Sequence, residues 1–381
     1  MPRGLVAYRS TYQYPPEYKS TCQPAATFEL DWIMTPTRTR QYRYPELGSH
    51  QNLVLEEVGL KPPKGNEVLV KTRAVSLQFR DLSIGNGHYP ARCLPDLVPC
   101  SDMAGEVIAV GEDVKKWRIG DRVCANFFLD KLNDVQTPET DESALGGTTQ
   151  GVLTEYRTFP AHSLVTIPQH LSYEEAATLP CAALTAYNAL LCGYTPLKAG
   201  DTVLIQGTGG VSIFALQFAV ASGATVIAIS SSDEKLKVAT ALGAAHVINY
   251  CATPDWDREA VRLTGGVGVD RVIEVAGNAT LARSIASVKL GGSIDIIGLV
   301  GGPNDSGPVD IVLPAVMRSL KFRGLYVGSV PQFHDMNKLI SANPKTTRPI
   351  IDRVFPFEQA KEAFAYLASQ AHVGKVVVRV F

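Results

Sequence analysis

The chain has 381 residues, 45% of them hydrophobic, and a formal net charge of −1. That length has room for two domains with large buried cores. The balanced charge leaves no basic footprint for nucleic acid and no polybasic face for a membrane, and no apolar run approaches the roughly 18–20 residues of a membrane-spanning helix.

Residues 1–33 carry Tyr, Pro, Ser and Thr with little periodicity, and Met34 opens a stretch that reads like a normal protein start. A mitochondrial presequence is Arg-rich and poor in acids, whereas this segment holds Glu17, Glu29 and Asp31. The expectation is a disordered extension, or a mis-assigned start, rather than a targeting signal. From Leu53 to about Thr166 the chain alternates short strands with glycine and proline punctuation. The predicted strands are Leu53–Val58, Val68–Val75, Ala104–Val110, Arg122–Ala125, Leu153–Thr158 and Ser163–Ile167, a pattern that suggests a partly open barrel. The polar stretch Asp130–Gln150 reads as a loop over it.

From Leu184 strands and helices alternate. Strands are predicted at Val203–Gln206, Val226–Ile229, His246–Ile248, Arg271–Glu274, Ser293–Ile297 and Phe322–Tyr326. Helices are predicted at Val211–Ala221, Asp233–Leu242, Asp255–Leu263, Ala279–Val288 and Ile311–Met317. This alternation makes a doubly wound parallel sheet of the α/β class. An amphipathic helix over Phe357–Gln370 and a strand over Lys375–Val380 return the chain to the first domain. The expected domains are 34–183 with 328–381, and 184–327. The seven cysteines (residues 22, 93, 100, 124, 181, 192 and 251) include no C-x-x-C pair, and read as reduced thiols of an intracellular, cytoplasmic protein.

The chemistry enters at Gly207, Thr208, Gly209, Gly210 and Val211, between a strand and a helix. A glycine turn there brings backbone N–H groups and the positive helix end up to a pyrophosphate. The third small position is Ser212, so the string alone is weak, and its βαβ context of about thirty residues is what strengthens it. A dinucleotide-dependent redox enzyme is the reading. At the end of the second strand, where an acid would hold the ribose 2′-OH of NAD, stand Ser230 and Ser231. Hydroxyls can donate to a 2′-phosphate and Lys235 can reach it as a point charge, which favours NADPH over NADH. The serines also suit capping of the next helix, and Asp233 and Glu234 weaken the electrostatic argument.

Several segments together resemble the medium-chain dehydrogenase/reductase superfamily over Met34 to Phe381. They are Ser76 to Leu82 (SLQFRDL), Asp102 to Val107 (DMAGEV) with Val110 to Val114 (VGEDV), Gly120 to Val123 (GDRV), Leu179 to Tyr187 (LPCAALTAY) and the glycine turn. The zinc-free branch, with its quinone oxidoreductases and alcohol dehydrogenase-like proteins, is the nearest in look. The resemblance implies a GroES-like catalytic domain, a Rossmann domain, an active site in the cleft between them, and a homodimer through the Rossmann sheet edge near Ser293–Val300. The positions that match the family's catalytic zinc ligands are Gln78, Ser101 and Cys181, a poor donor set for that ion, and Asp130–Gln150 lacks the four cysteines of the structural zinc lobe. No zinc is expected. The family's Asn-aromatic-basic-Asp string beside the nicotinamide reads Gln78, Phe79, Arg80, Asp81. Arg80 stabilises an enolate or pairs with Asp81. By the same resemblance Thr185 lies near the carboxamide, Asn278 near the cofactor ribose, and Tyr250 beside the adenosine or its phosphate. His88 and Tyr89 are further candidates at the cleft mouth.

The activity this implies is zinc-independent hydride transfer from NADPH to a quinone, an enone or a related carbonyl compound. Two alternatives stay open: alcohol oxidation without zinc in a specialised pathway, and an NADPH-binding protein without turnover.

Overall fold

A computed structural model describes residues 35–298 and 308–381. The expected extension over residues 1–33 lies outside the described residues. The chain begins with a hairpin of β1 (Arg38–Arg43) and β2 (Val54–Gly59). The sequence reading missed β1 because it is polar. Its arginines pair across to the second strand, Arg38 with Glu57 and Arg43 with Glu56, both at 2.7 Å. Next come β3 (Glu67–Ser76), α1 (Phe79–Gly85), β4 (Asp102–Val110), β5 (Arg122–Ala125), α2 (Pro138–Glu142), β6 (Tyr156–Pro160), β7 (Leu164–Thr166) and α3 (Tyr173–Ala176). The strand expected at Leu153–Thr158 sits later, because Leu153 and Thr154 pair with the first hairpin instead. A π-helical turn over Leu179–Ala183 runs into α4 (Leu184–Leu191).

The second part follows the predicted alternation: β8 (Thr202–Gln206), α5 (Gly210–Ala221), β9 (Thr225–Ser230), α6 (Asp233–Ala241), β10 (His246–Asn249), α7 (Trp256–Leu263), β11 (Val269–Glu274), α8 (Asn278–Ser287), β12 (Val288–Ile296), α9 (Val312–Met317) and β13 (Lys321–Gly324). All pairings in this sheet are parallel, in the order β10-β9-β8-β11-β12-β13. Val203 to Ile205 and Val226 to Ile229 are buried, as strands covered by helices on both faces must be. Ile213 to Ala219 of α5 are all buried, because the helix lies between the sheet and α4.

The order of strands corrects one expectation. Residues 293–296 lie in β12, which is hydrogen-bonded to strands on both sides, and among the described residues the edges of the sheet are β10 and β13. Ile294 is buried, and Leu299 and Val300 lie outside the described residues.

The chain then forms α10 (Val330–Ala342), β14 (Ile351–Pro356), α11 (Ala360–Ala368) and β15 (Lys375–Arg379). The α10 helix was not expected, although Ser329 and Gln332 form a complete capping box at its start. Strand β15 pairs with β14 on one side and with β3 on the other, in a sheet of order β14-β15-β3-β4-β5-β7, with β6 also on β3. The tail thus completes the first sheet, and it brings Gly374 against the glycine turn after β8, where the Gly374 N–H donates to the Thr208 carbonyl at 2.9 Å.

Candidate active site

Strand β8 delivers the turn. Gly207 has φ +73°, a conformation that costs an L side chain about 1–2 kcal/mol. Ser212 fills the third small position and donates to the Gln206 carbonyl at 2.7 Å, tying the helix start back to the strand. A side chain on Gly209 would meet nothing within 4 Å, whereas one on Gly210 would lie 2.6 Å from Lys375 Cδ. The turn is thus open above Gly209 and packed beside Gly210. That shape suits a diphosphate laid on backbone N–H groups. Beneath it, the buried Glu274 carboxylate accepts from Gln206 Nε2 at 2.7 Å, from Ser284 Oγ at 2.5 Å, and from the Ala276 and Gly277 N–H groups. This network, which the sequence reading did not find, fixes the loop leading to Asn278. Asn278 itself is exposed, just after Gly277 at φ +79°.

At the end of β9 the structure places Ser230 next to the Tyr250 backbone, with Ser231 following it in the chain and Lys235 on α6. Ser230 is buried, Ser231 is exposed, and the Tyr250 N–H donates to the Ser230 carbonyl at 3.0 Å. Ser232, the third serine of the run, caps α6 by accepting from the Lys235 N–H, as the capping alternative has it, and the Ser230 hydroxyl accepts from the Ser232 N–H at 3.4 Å. Lys235 Nζ donates to the Gln370 carbonyl at 2.6 Å, so its ammonium is tethered to the tail that follows α11. Thr185 is buried in α4.

The residues at the zinc-ligand positions surround a buried carboxylate instead. Asp102 accepts from Gln78 Nε2 at 2.5 Å, Ser101 Oγ at 2.6 Å and the Cys181 N–H at 3.0 Å. Burial lifts Asp102 to about 6, against the pull of Lys375 and these donors. Asp81 Oδ2 accepts from the Gln78 N–H at 2.8 Å while Oδ1 is buried without a partner, and burial lifts this carboxyl to about 7. Burial, with the Asp102 charge, also pushes the Cys181 thiol up, which keeps it protonated. Zinc takes thiolate, imidazole or carboxylate ligands. An amide and a hydroxyl already bonded to Asp102 leave Cys181 as the one zinc-type ligand of the three, which does not fit it. Among the described residues, no group of three or more His, Cys, Asp or Glu is arranged to hold a metal ion. Lys375 is fully buried here, donates to the Leu77 carbonyl at 2.5 Å, and has its pKa drawn down by that burial.

Arg80 points away from that cluster. No ion pair joins it to Asp81, so the pairing alternative is not what the structure forms. Its Nη1 donates to the Leu145 carbonyl at 2.9 Å and its guanidinium lies 4.7 Å from the Phe127 ring centre and 5.1 Å from that of Tyr89. Its Nε is buried without a partner. Tyr89 and Tyr326 share a hydroxyl hydrogen bond of 2.7 Å, and the Tyr326 ring stands edge-on to Phe128 at 4.9 Å. Arg80 therefore faces an aromatic box built from three separate stretches of chain. Tyr89 is half-buried in it, while His88 is exposed and outside it. Phe127, Phe128 and Tyr326 carry no local motif that could have announced them. The 130–150 stretch, expected as a loop, does cover the site, with Leu145 and Gly146 closing on Arg80.

Two family models match the chain. One is described as alcohol dehydrogenase GroES-like domain and covers residues 64–169, and the other as zinc-binding dehydrogenase and covers residues 210–342. A zinc-type alcohol dehydrogenase-like protein of Schizosaccharomyces pombe is 47% identical over 341 residues, which is 88% of this chain and 98% of the relative. A quinone oxidoreductase of Sus scrofa is 28% identical over 91% of this chain and 98% of its own. A crystal structure described as an alcohol dehydrogenase from Sinorhizobium meliloti superposes with a TM-score of 0.81 at 38% identity, covering 91% of this chain and all of that one.

Proposed function

The chain belongs to the medium-chain dehydrogenase/reductase superfamily of oxidoreductases, and from that membership we propose that it is a zinc-independent, NADPH-preferring reductase of quinones, enones or related carbonyl compounds. One observation carries the choice of substrate: Arg80 is a partly buried guanidinium set among aromatic rings, with no hydrogen-bond partner on its Nε and no carboxylate in direct contact. Such a cation is placed to take the negative charge that develops on an acceptor oxygen, the task that zinc performs in metal-dependent relatives.

The bound nicotinamide supplies the hydride. Gly207, Thr208, Gly209, Gly210 and Val211 are the residues for its pyrophosphate. Ser230, Ser231, Lys235 and Tyr250 are those for the adenosine 2′-phosphate, while Asn278 and Thr185 serve the nicotinamide end. Gln78, held by Asp102 and Asp81, forms a fixed wall at the zinc position. Arg80 binds the oxygen of the acceptor, which becomes an enolate as the hydride reaches the conjugated carbon, and water returns the proton. The rings of Phe127, Phe128, Tyr89 and Tyr326 keep bulk water from the reacting face.

Replacing Arg80 by Met tests this reading. The kcat/KM for an enone panel is expected to fall about 10²–10³-fold, with NADPH binding by fluorescence unchanged. Equal turnover in wild type and variant, or a stoichiometric zinc content in the purified protein, overturns it. Efficient NADP⁺-dependent oxidation of simple alcohols, untouched by Arg80→Met, favours the dehydrogenase alternative. Nucleotide binding with no turnover of any acceptor favours the non-catalytic one.

We assign the catalytic domain to 34–183 with 328–381 and the nucleotide domain to 184–327, in a cytoplasmic protein. A homodimer through β13, an edge strand among the described residues, is also proposed, supported by the exposed apolar residues Val312, Leu313, Val316 and Met317 on α9. Monomers by light scattering at micromolar concentration rule it out. No helix among the described residues is long and apolar enough to cross a membrane.

A further inference from the structure

The tail between α11 and β15 runs along the nucleotide site. Gln370 accepts from Lys235 Nζ at 2.6 Å, the Gly374 N–H donates to the Thr208 carbonyl at 2.9 Å, and Lys375 packs against Gly210. His372 lies between these anchor points. It is largely enclosed, and its Nδ1 is buried without a hydrogen-bond partner. The charged groups around it are Lys375 from β15, Lys235 from α6 and Asp352 from β14. Asp352 is already engaged, accepting from the Val373 N–H at 3.1 Å and from the Tyr366 hydroxyl at 2.5 Å. The glycine turn contributes backbone groups and no charge. An imidazole nitrogen with an unmet hydrogen bond thus sits within the electrostatic reach of two lysines, two residues from the Gln370 carbonyl that holds Lys235 and two from the Gly374 N–H bonded to the glycine turn.

We propose that His372 is a phosphate ligand of the bound dinucleotide, supplied to the nucleotide site by the tail segment, and that it takes up a proton when the dinucleotide binds. The inference rests on the reading above only in requiring that a dinucleotide binds at the glycine turn. Burial and the two lysines hold the free imidazole down at about 4, so it is neutral at pH 7. A phosphate arriving among the three groups reverses the local charge. The imidazolium then donates to a phosphate oxygen and completes a cluster with Lys235 and Lys375. Protons bound in the complex but not in the free protein make affinity rise as pH falls from about 8 to about 5. The 2′-phosphate has the opposite signature. Its own last proton leaves when it meets cations, so a net uptake cannot come from it.

Titration calorimetry of the whole protein in two non-phosphate buffers of different ionisation enthalpy counts these protons. At pH 7 about half a proton or more is expected to be taken up per NADPH. His372→Gln keeps a neutral, hydrogen-bonding side chain. It is expected to bind with no uptake and to lose about three- to tenfold in affinity at pH 6.5, with the difference from wild type closing by pH 9. Uptake with NADPH alone assigns the 2′-phosphate as the partner, and uptake with both NADPH and NADH assigns the pyrophosphate. The wild-type proton count stands whether or not the variant folds, and His372→Asn offers a second neutral replacement. Binding without uptake in wild type, or uptake that persists in the folded variants, overturns the role of His372 and leaves the reductase reading intact. Failure to bind either dinucleotide overturns both.

Discussion

The surroundings of Asp102 and those of the glycine turn differ in how their polar groups are satisfied. Around Gln78, Ser101 and Cys181 the donors converge on Asp102, and its carboxylate already accepts three hydrogen bonds from the protein itself. Around the glycine turn the opposite holds. There is open space above Gly209, the His372 Nδ1 has no partner, and two lysines lie close by. In the first region the Asp102 carboxylate is satisfied by the protein itself, whereas in the second a buried imidazole nitrogen is left without a partner beside open space.

The largest blow to the open region is Gly209→Val. Its backbone, φ −75° and ψ −176°, is an extended conformation open to any residue, and nothing lies within 4 Å of the new Cβ. The apo melting temperature should therefore stay within about 2 °C of wild type, while dinucleotide affinity falls by at least about thirtyfold as the side chain occupies the phosphate space. A fall in stability with affinity preserved would show that the opening is not the cofactor's. Lys235→Ala should be milder. The KM for NADPH is expected to rise about tenfold with that for NADH unchanged, the loss of one charge-assisted contact to the 2′-phosphate. Equal effects on both cofactors would move Lys235 to a purely structural role as the tether to Gln370.

The closed region should answer to pH rather than to ligand. Asp81 is lifted from the usual carboxyl value of 3.8 to about 7. A raised folded value means that its contribution to stability is fully present below about 4 and is lost as pH rises through 7. Asp81→Asn removes that slope. The melting temperature of wild type minus that of the variant should thus decline by several degrees, about 2–4 °C for each kcal/mol, between pH 5 and pH 8. A flat difference across this range would mean that Asp81 stays ionised throughout.

Much of this was legible before any coordinates, and the physical reason is locality. The glycine turn, β8 to β12 and the helices between them are announced by runs of neighbouring residues, because both faces of a parallel sheet must be apolar. The residues standing at the zinc positions were likewise legible, since Gln78, Ser101 and Cys181 sit within recognisable segments. The aromatic box was not. Tyr89, Phe127, Phe128 and Tyr326 meet only in three dimensions, and a tyrosine on a loop looks the same whether or not another hydroxyl waits for it. The Gln206–Glu274 network was hidden for a similar reason, since polar residues at strand ends usually mark solvent. The sheet edge was misplaced because the strand at Phe322–Tyr326 was legible but its place outside β12 was not, strand order being a matter of three-dimensional pairing. Lys375 and His372 escaped notice because they lie in a segment read only as the return of the chain to its first domain.

That return has a consequence for how the protein is made. Strand β15 sits inside its sheet, with Val377 beside Ser76. The nucleotide sheet draws all six strands from residues 202–324 and can assemble as soon as that stretch has left the ribosome. The other sheet was begun long before, yet it waits with β3 lacking one neighbour until residues 375–379 are synthesised. Closure of such a distant pair is slow, and an unpaired apolar strand is prone to association while it waits. The nascent chain is therefore expected to be most vulnerable in its oldest part, and to need shielding there late in translation.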